Sequence, residues 1–240
     1  NYIGGTGIDM IIADASSQNI GVADISGIEK ISGGAFSNVS IQTKAANNGS
    51  AVLLNLTGIE LENINLIKGQ NGDDSIYLEG SAGAASTALT RNDTVYGGAG
   101  NDSIYSGFGD DILAGDVGND LLVGGAGLDT ITGGAGADTF RFDAFSESVV
   151  GAGDKIIDFS STDGDKIRLS SIDADASVSG DQAFVFIGSG MFSDVAGELR
   201  IELEADGFTH LYGDTNADSV ADFEIVLTNG ANLAATDFIL

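Results

Sequence analysis

The 240-residue chain has no cysteine, so it can form neither a disulfide nor a thiolate metal site. It also lacks proline and tryptophan, absences from which no function follows. A single histidine, His210, excludes a zinc site built on histidines. Basic residues are scarce: nine Lys and Arg stand against 36 Asp and Glu, a formal net charge of −27. That balance argues against nucleic acid and anionic membranes as partners, and for multivalent cations. No apolar run approaches the roughly 20 residues that span a bilayer, so no membrane insertion is expected, and no amino-terminal signal peptide is visible. The hydrophobic share of 42% excludes a wholly disordered acidic tail. The chain opens at Asn1 inside a pattern already under way, which reads as the carboxy-terminal piece of a longer polypeptide whose upstream domain would carry any catalysis.

Glycine, by contrast, is abundant and ordered. Residues 97 to 141 divide into five nine-residue units, GGAGNDSIY, SGFGDDILA, GDVGNDLLV, GGAGLDTIT and GGAGADTFR. Each unit has Gly at its fourth place, Asp at its sixth (Asp102, Asp111, Asp120, Asp129, Asp138) and an apolar residue at its eighth (Ile104, Leu113, Leu122, Ile131, Phe140). The pattern is the G-G-x-G-x-D-x-U-x nonapeptide. Its glycine-rich first part suits a turn that needs positive φ and crowded carbonyls, and its last three residues suit a short strand. So short a strand buries no core alone; coils of two units must stack and pool their eighth residues. A flexible Gly/Asp linker would have no reason to keep an apolar residue at every eighth place.

Stacking brings units 18 residues apart together, Asp102 with Asp120 and Asp120 with Asp138 on one side, Asp111 with Asp129 on the other. Parallel strands lie about 4.8 Å apart. Two carboxylates at that distance repel by about 3 kcal/mol at an effective dielectric of about 20, so the roll is not expected to form without a counterion. Calcium suits the task, being a hard cation that takes roughly six to eight oxygens in flexible geometry, whereas magnesium demands a near-octahedral shell and sheds water reluctantly.

The five registered copies resemble the repeats-in-toxin (RTX) family. The resemblance implies an all-β fold, a parallel β-roll, in which Ca2+ ions sit between adjacent turns on one side. The implied ligands are the sixth-place carboxylates and carbonyls of the first four places: Gly97, Gly98, Gly100, Gly107, Gly109, Gly115, Gly118, Gly124, Gly125, Gly127, Gly133, Gly134 and Gly136.

Earlier in the chain the register appears in fragments. Gly4 to Ile12 fits one copy, with Asp9 at place six. Residues 13 to 68 keep short β-rich runs, Val39 to Ile41, Val52 to Leu56 and Ile59 to Ile67, without the glycines, and are expected to form longer, calcium-poor coils. The unit from Gly69 has Gln70 for its second Gly and retains Asp74. Residues 78 to 87 read as an inserted surface loop. A degenerate unit from Ala88 has Arg91 in place of its fourth Gly, so a site using Asp93 would be partial. Asp93 would face Asp111, and Asp74 would face Asp102 if the insertion loops out.

After Arg141 strands alternate and phenylalanine increases. Residues 198 to 204 alternate polar and apolar, and Asp206-Gly207 predicts a type I′ turn into a second strand, Phe208 to Tyr212. An antiparallel sheet closing the open edge of the last coils is expected. Blocks GGAGADTFRF, Asp154-Lys155-Ile156-Ile157-Asp158-Phe159, Asp165-Lys166-Ile167-Arg168-Leu169-Ser170, Gly213-Asp214, Ala221-Asp222-Phe223-Glu224-Ile225 and the closing DFIL occur in order. Over residues 97 to 240 they resemble the serralysin-type carboxy-terminal domain, which implies calcium binding and an uncleaved carboxy-terminal signal for a type I secretion apparatus. Proteolysis is not implied, since no HExxH occurs. The expected divisions are irregular coils (1–68), a calcium-binding roll (69–141), and a cap with the secretion-signal region (142–240).

Other chemistry is weaker. Asp214, Asn216, Asp218 and Asp222 occupy EF-hand-like positions, but Ser219 stands where Gly is wanted and Ile225 where the bidentate Glu belongs; the segment reads either as a metal loop or as a polar turn. Asp154 and Asp158 would serve a terminal ion or cap a loop. His210 falls in a predicted strand without a nucleophile elbow, and the Gly-rich turns lack the Lys of a phosphate loop, so the chain is expected to be no enzyme. The reading is a calcium-binding folding and export module of an extracellular protein. The alternatives are a calcium-dependent surface-layer component, or an accessory module of a polysaccharide-active enzyme meeting cell-surface polysaccharide.

Overall fold

A computed structural model describes residues 92–240 throughout and, before them, residues 2–3, 10–12, 19–22, 25–26, 30–32, 39–43, 53–56, 60–62 and 64–78. Asp9 and residues 79–91, with the expected insertion, lie outside the described residues. Among the described residues regular structure is β throughout, apart from two 3-10 turns, Phe145–Glu147 and Ala235–Asp237. No described helix is long and apolar enough to cross a membrane.

Each nonapeptide contributes one strand: Ser103–Phe108, Ile112–Val117, Leu121–Ala126, Thr130–Ala135 and Thr139–Arg141. Successive strands alternate between two parallel sheets, so two units complete a coil. Pairings such as Ile104 with Leu122 and Leu113 with Ile131 give the 18-residue step. Because the side-chain period of a strand is two, the eighth residue turns inward while the seventh and ninth face outward. Ile104, Leu113, Leu122, Ile131 and Phe140 are buried and join one continuous cluster that runs from Ile41 to Phe238.

Parallel stacking continues before the regular units. Ile76 pairs with Ile104 across 28 residues, and Val95 with Ile67 across the same interval, so ten extra residues leave the register intact. Further back the coils lengthen to between 20 and 30 residues, as in Ile11 with Ile31, Ile31 with Leu61, Ile20 with Ile41, and Leu54 with Ile76.

Beyond Arg141 both sheets go on. Asp154–Ile156 adds to one and Lys166–Arg168 to the other, and Phe238–Ile239 then lies beside Lys166–Arg168. Phe223–Leu227 runs parallel to Asp154–Ile156, after which Thr209–Asp214 and Glu198–Leu203 are added antiparallel. The antiparallel strands thus extend the roll's sheet edge to edge. The hairpin turn differs from the type I′ expectation. Leu203 pairs with Thr209, the Gly207 amide donates to the Glu204 carbonyl and the Glu204 amide to the Phe208 carbonyl, so the loop has three residues, Ala205-Asp206-Gly207. Only Gly207 among them is left-handed, with φ 86°, whereas a type I′ turn needs positive φ at both central residues.

Candidate metal centre

The turn geometry follows from the glycines. Second-place Gly98, Gly107, Gly125 and Gly134 and fourth-place Gly100, Gly109, Gly118, Gly127 and Gly136 all have positive φ. Close approach explains the requirement best at Gly118, with φ 145°, where an added Cβ would overlap the Gly100 carbonyl of the preceding coil. First-place Gly97, Gly115, Gly124 and Gly133 are excluded from carrying a side chain for a different reason. A Cβ on any of them would overlap Oδ2 of the unit's own sixth-place Asp, and at Gly115 it would also lie 2.6 Å from the Gly133 carbonyl oxygen. Asp116 occupies a second place at φ 75°, a conformation rarely adopted by a residue with a side chain.

These tight turns bury the sixth-place carboxylates in two ladders. In the first, the amides of Asp74, Asp102, Asp120 and Asp138 donate to Oδ1 of Asp102, Asp120, Asp138 and Asp165, at 2.6, 2.7, 2.9 and 2.9 Å. In the second, the amides of Asp93, Asp111 and Asp129 donate to Oδ1 of Asp111, Asp129 and Asp154, at 2.7, 2.8 and 2.8 Å. The expected pairs are therefore brought together, including Asp74 with Asp102 and Asp93 with Asp111. All of these carboxylates are 5% exposed or less.

In five of them the ladder bond uses one oxygen and strands the other. Oδ2 of Asp102, Asp120, Asp129, Asp138 and Asp154 is buried without a hydrogen-bond partner. Burial, the largest influence, pushes Asp102, Asp129 and Asp138 up to about 6, Asp111 and Asp120 to about 7 and Asp154 to about 8, from an ordinary 3.8. Neighbouring carboxylates raise them further, and the ladder amides only partly offset this. A buried anionic oxygen with no partner costs several kcal/mol, of order 1–3 or more, and a hard cation beside it removes that cost. The residues fit calcium: unmatched carboxylate oxygens lie against glycine turns whose carbonyls crowd the same space. Ser106 modifies one turn, because its hydroxyl stands where the other units have first-place glycine and donates to the Gly124 carbonyl at 2.8 Å.

Of the remaining candidates, Asp154 joins a ladder and Asp158 does not. Asp158 accepts the amides of Gly133 and Gly134, both at 2.9 Å, and so caps the last nonapeptide turn. Asp214 accepts from the amides of Asn216, Ala217 and Ser219, Asn216 from Asp218, and Asp218 from Val220; these side chains are turned onto their own loop.

Two features escape the repeat pattern. Asp165 is a ladder member, signalled only by Asp165-Lys166-Ile167, which keeps the Asp-x-apolar end of a unit after the glycines are lost. The fifth places form two further ladders on the exposed rims, one on each side. There the amides of Asn101, Asp110, Asn119, Leu128 and Ala137 donate to Oδ1 of Asp73, Asn92, Asn101, Asp110 and Asn119. The recurrence of Asn or Asp at place five is the sequence signal for them.

Residues 87–122 and 115–146 match the family described as RTX calcium-binding nonapeptide repeat (4 copies). Similar solved structures include the AlgE6R3 subunit of the Azotobacter vinelandii mannuronan C5-epimerase, at 29% identity over 73% of this chain and 78% of that one, with a TM-score of 0.37. The AlgE6R2 subunit of the same enzyme is 27% identical over 73% of this chain and 91% of that one, with a TM-score of 0.34. No curated protein sequence matches the chain significantly. With the nonapeptide register, the two-sheet roll and the buried aspartate ladders in agreement with the family match, residues 87–146 are RTX calcium-binding nonapeptide repeats.

Proposed function

We propose that this chain is the calcium-dependent folding and export module of an extracellular protein that leaves the cell through a type I apparatus. In this reading residues 69–141 hold the ions, 142–240 cap the roll and carry the export region, and 1–68 extend the stack with coils poor in ligands. The observation that carries it is the pair of ladders in which Oδ2 of Asp102, Asp120, Asp129, Asp138 and Asp154 is buried without a hydrogen-bond partner. Asp74, Asp93, Asp102, Asp111, Asp120, Asp129, Asp138 and Asp154, with carbonyls of the first four places of each unit, would hold the ions.

The mechanism is linkage. These oxygens converge only when coils are stacked, so calcium binds the folded chain and not the extended one. Each site stabilises the fold by about 2.7 kcal/mol when calcium is about 100 times Kd, and a few sites together match a domain's whole stability. Where calcium is scarce, carboxylate repulsion keeps the chain extended and able to thread a channel; where it is plentiful, the roll folds. Circular dichroism with hydrogen exchange tests this. Excess chelator is expected to abolish the β-signal and the amide protection of residues 92–141, and calcium to restore both. Protection of those amides in chelator would refute the reading.

A further inference from the structure

The antiparallel sheet holds a cluster that the ladders do not use. His210, 7% exposed, faces Glu224, Asp206 and Glu204. Its Nδ1 lies 2.5 Å from Glu224 Oε1, and its Nε2 lies 3.1 Å from Asp206 Oδ2 and 4.0 Å from Glu204 Oε2. One ligand atom each from Glu204, His210 and Glu224 lie within 4.8 Å of one another. We propose that Glu204, His210 and Glu224 bind one transition-metal ion of the Zn2+ class, with Asp206 orienting the imidazole.

Proton counting supports a cation there. The Tyr212 hydroxyl has one hydrogen but touches both Glu204 Oε1 and Glu224 Oε1, the second at 3.1 Å. A doubly protonated imidazole gives one N–H to Glu224 and the other to Asp206, which still leaves three facing carboxylates against a single positive charge. A metal ion on Nδ1 takes the place of that proton and supplies the larger charge. Arg200 does not supply the missing charge, because it pairs with Glu202 at 2.6 Å and donates to the Gly190 carbonyl. A histidine that binds metal through one nitrogen commonly gives its other N–H to a carboxylate, the place Asp206 occupies. One nitrogen and two carboxylates suit zinc and its neighbours better than calcium, which prefers oxygen alone.

The site is also built and reachable. Glu224 is 4% exposed and its Oε2 accepts the Gly151 amide at 2.5 Å, so it is anchored to the loop that follows the last coil. Glu204 and Asp206 lie on the exposed hairpin loop and leave a way in. A tetrahedral ion bonded at about 2.0–2.1 Å sets its ligand atoms about 3.3 Å apart, so loading opens the contact between His210 and Glu224 by less than about 1 Å. A lone histidine rules out a multi-histidine site, and the structure supplies the remaining ligands as carboxylates.

The proposal does not rest on the calcium reading. Its test is titration of the calcium-saturated chain with zinc chloride, followed by calorimetry and by NMR of its only imidazole. One equivalent of Zn2+ is expected to bind and to shift the imidazole resonances. Binding should be lost in His210→Gln and weakened at least about tenfold in Glu204→Gln, whose position on the exposed loop leaves the fold untouched. Zinc uptake without movement of the imidazole resonances, or equal affinity in wild type and Glu204→Gln, would mean an adventitious ion only and overturn the proposal.

Discussion

The nonapeptide coils and the segment after Arg141 share two sheets and one core, yet they settle the interior in opposite ways. In the coils each rung sets a carboxylate against the turn, and at Asp102, Asp120, Asp129 and Asp138 one oxygen is left without a hydrogen-bond partner. After Asp154 the position in register is taken by Ile225, fully buried, and Phe223–Leu227 is buried on both faces. There the packing is aromatic and aliphatic, with Phe184 edge-on to Phe223, and Arg200 lies over the Phe192 and Tyr212 rings. One region buries carboxylate oxygens along its turns, and the other packs mainly apolar side chains against one another. The contrast teaches that sheet continuity does not imply a common source of stability.

The sharpest way to break the contrast is to add a methyl group on each side of it. Gly115→Ala puts a Cβ over Asp120 Oδ2 and 2.6 Å from the Gly133 carbonyl, backbone that cannot yield. A loss of about 3 kcal/mol or more is expected in saturating calcium, with weaker calcium binding. Gly207→Ala meets nothing within 4 Å and suffers only its φ of 86°, a cost of about 1 kcal/mol. Denaturant unfolding of both variants measures the difference, and equal losses would erase it.

Acidity separates the regions next. Asp102, Asp111, Asp120, Asp129, Asp138 and Asp154 have folded-state values of about 6 to 8, above the ordinary 3.8, so folding takes up protons. For a group raised in this direction, stability is fully present below about pH 4 and is lost as pH rises through the folded values. In chelator, the roll should therefore be most stable at about pH 4, where these carboxylates are protonated, and its melting temperature should fall as pH rises until no folded roll is left near neutral pH. In calcium it should rise over the same window, because the ion needs deprotonated oxygens. Two parallel melting curves would show that the carboxylates are not the source. The smallest effect belongs to the rim: Asn119→Ala removes the acceptor of the Ala137 amide at 2.8 Å and should cost about 0.5–1 kcal/mol, seen as faster exchange of that amide.

The roll was legible because its period is strict: place eight predicted Ile104 to Phe140 as core, and the 18-residue step predicted which aspartates meet. Asp165 was harder to see, since residues 160–164 (SSTDG) carry one glycine where a unit has two or three, and only the Asp-x-apolar ending survives. The hairpin turn was mistaken because Asp206-Gly207 is a local signal, whereas the turn type is set by the pairing of Leu203 with Thr209. The cluster at His210 had no sequence signal at all. Its members come from a loop and two strands, and only the antiparallel register sets Tyr212 beside Glu224 and His210 beside Val226.

One rung geometry spans very different lengths of chain. Asp102 and Asp120 are 18 residues apart, Asp129 and Asp154 are 25, Asp138 and Asp165 are 27, and Asp74 and Asp102 are 28, yet the amide-to-carboxylate distances stay between 2.6 and 2.9 Å. The scaffold counts rungs and ignores contour length. The flank of a coil is therefore a graft point, where a foreign peptide of ten residues can be spliced in and displayed while the lattice on either side keeps its register.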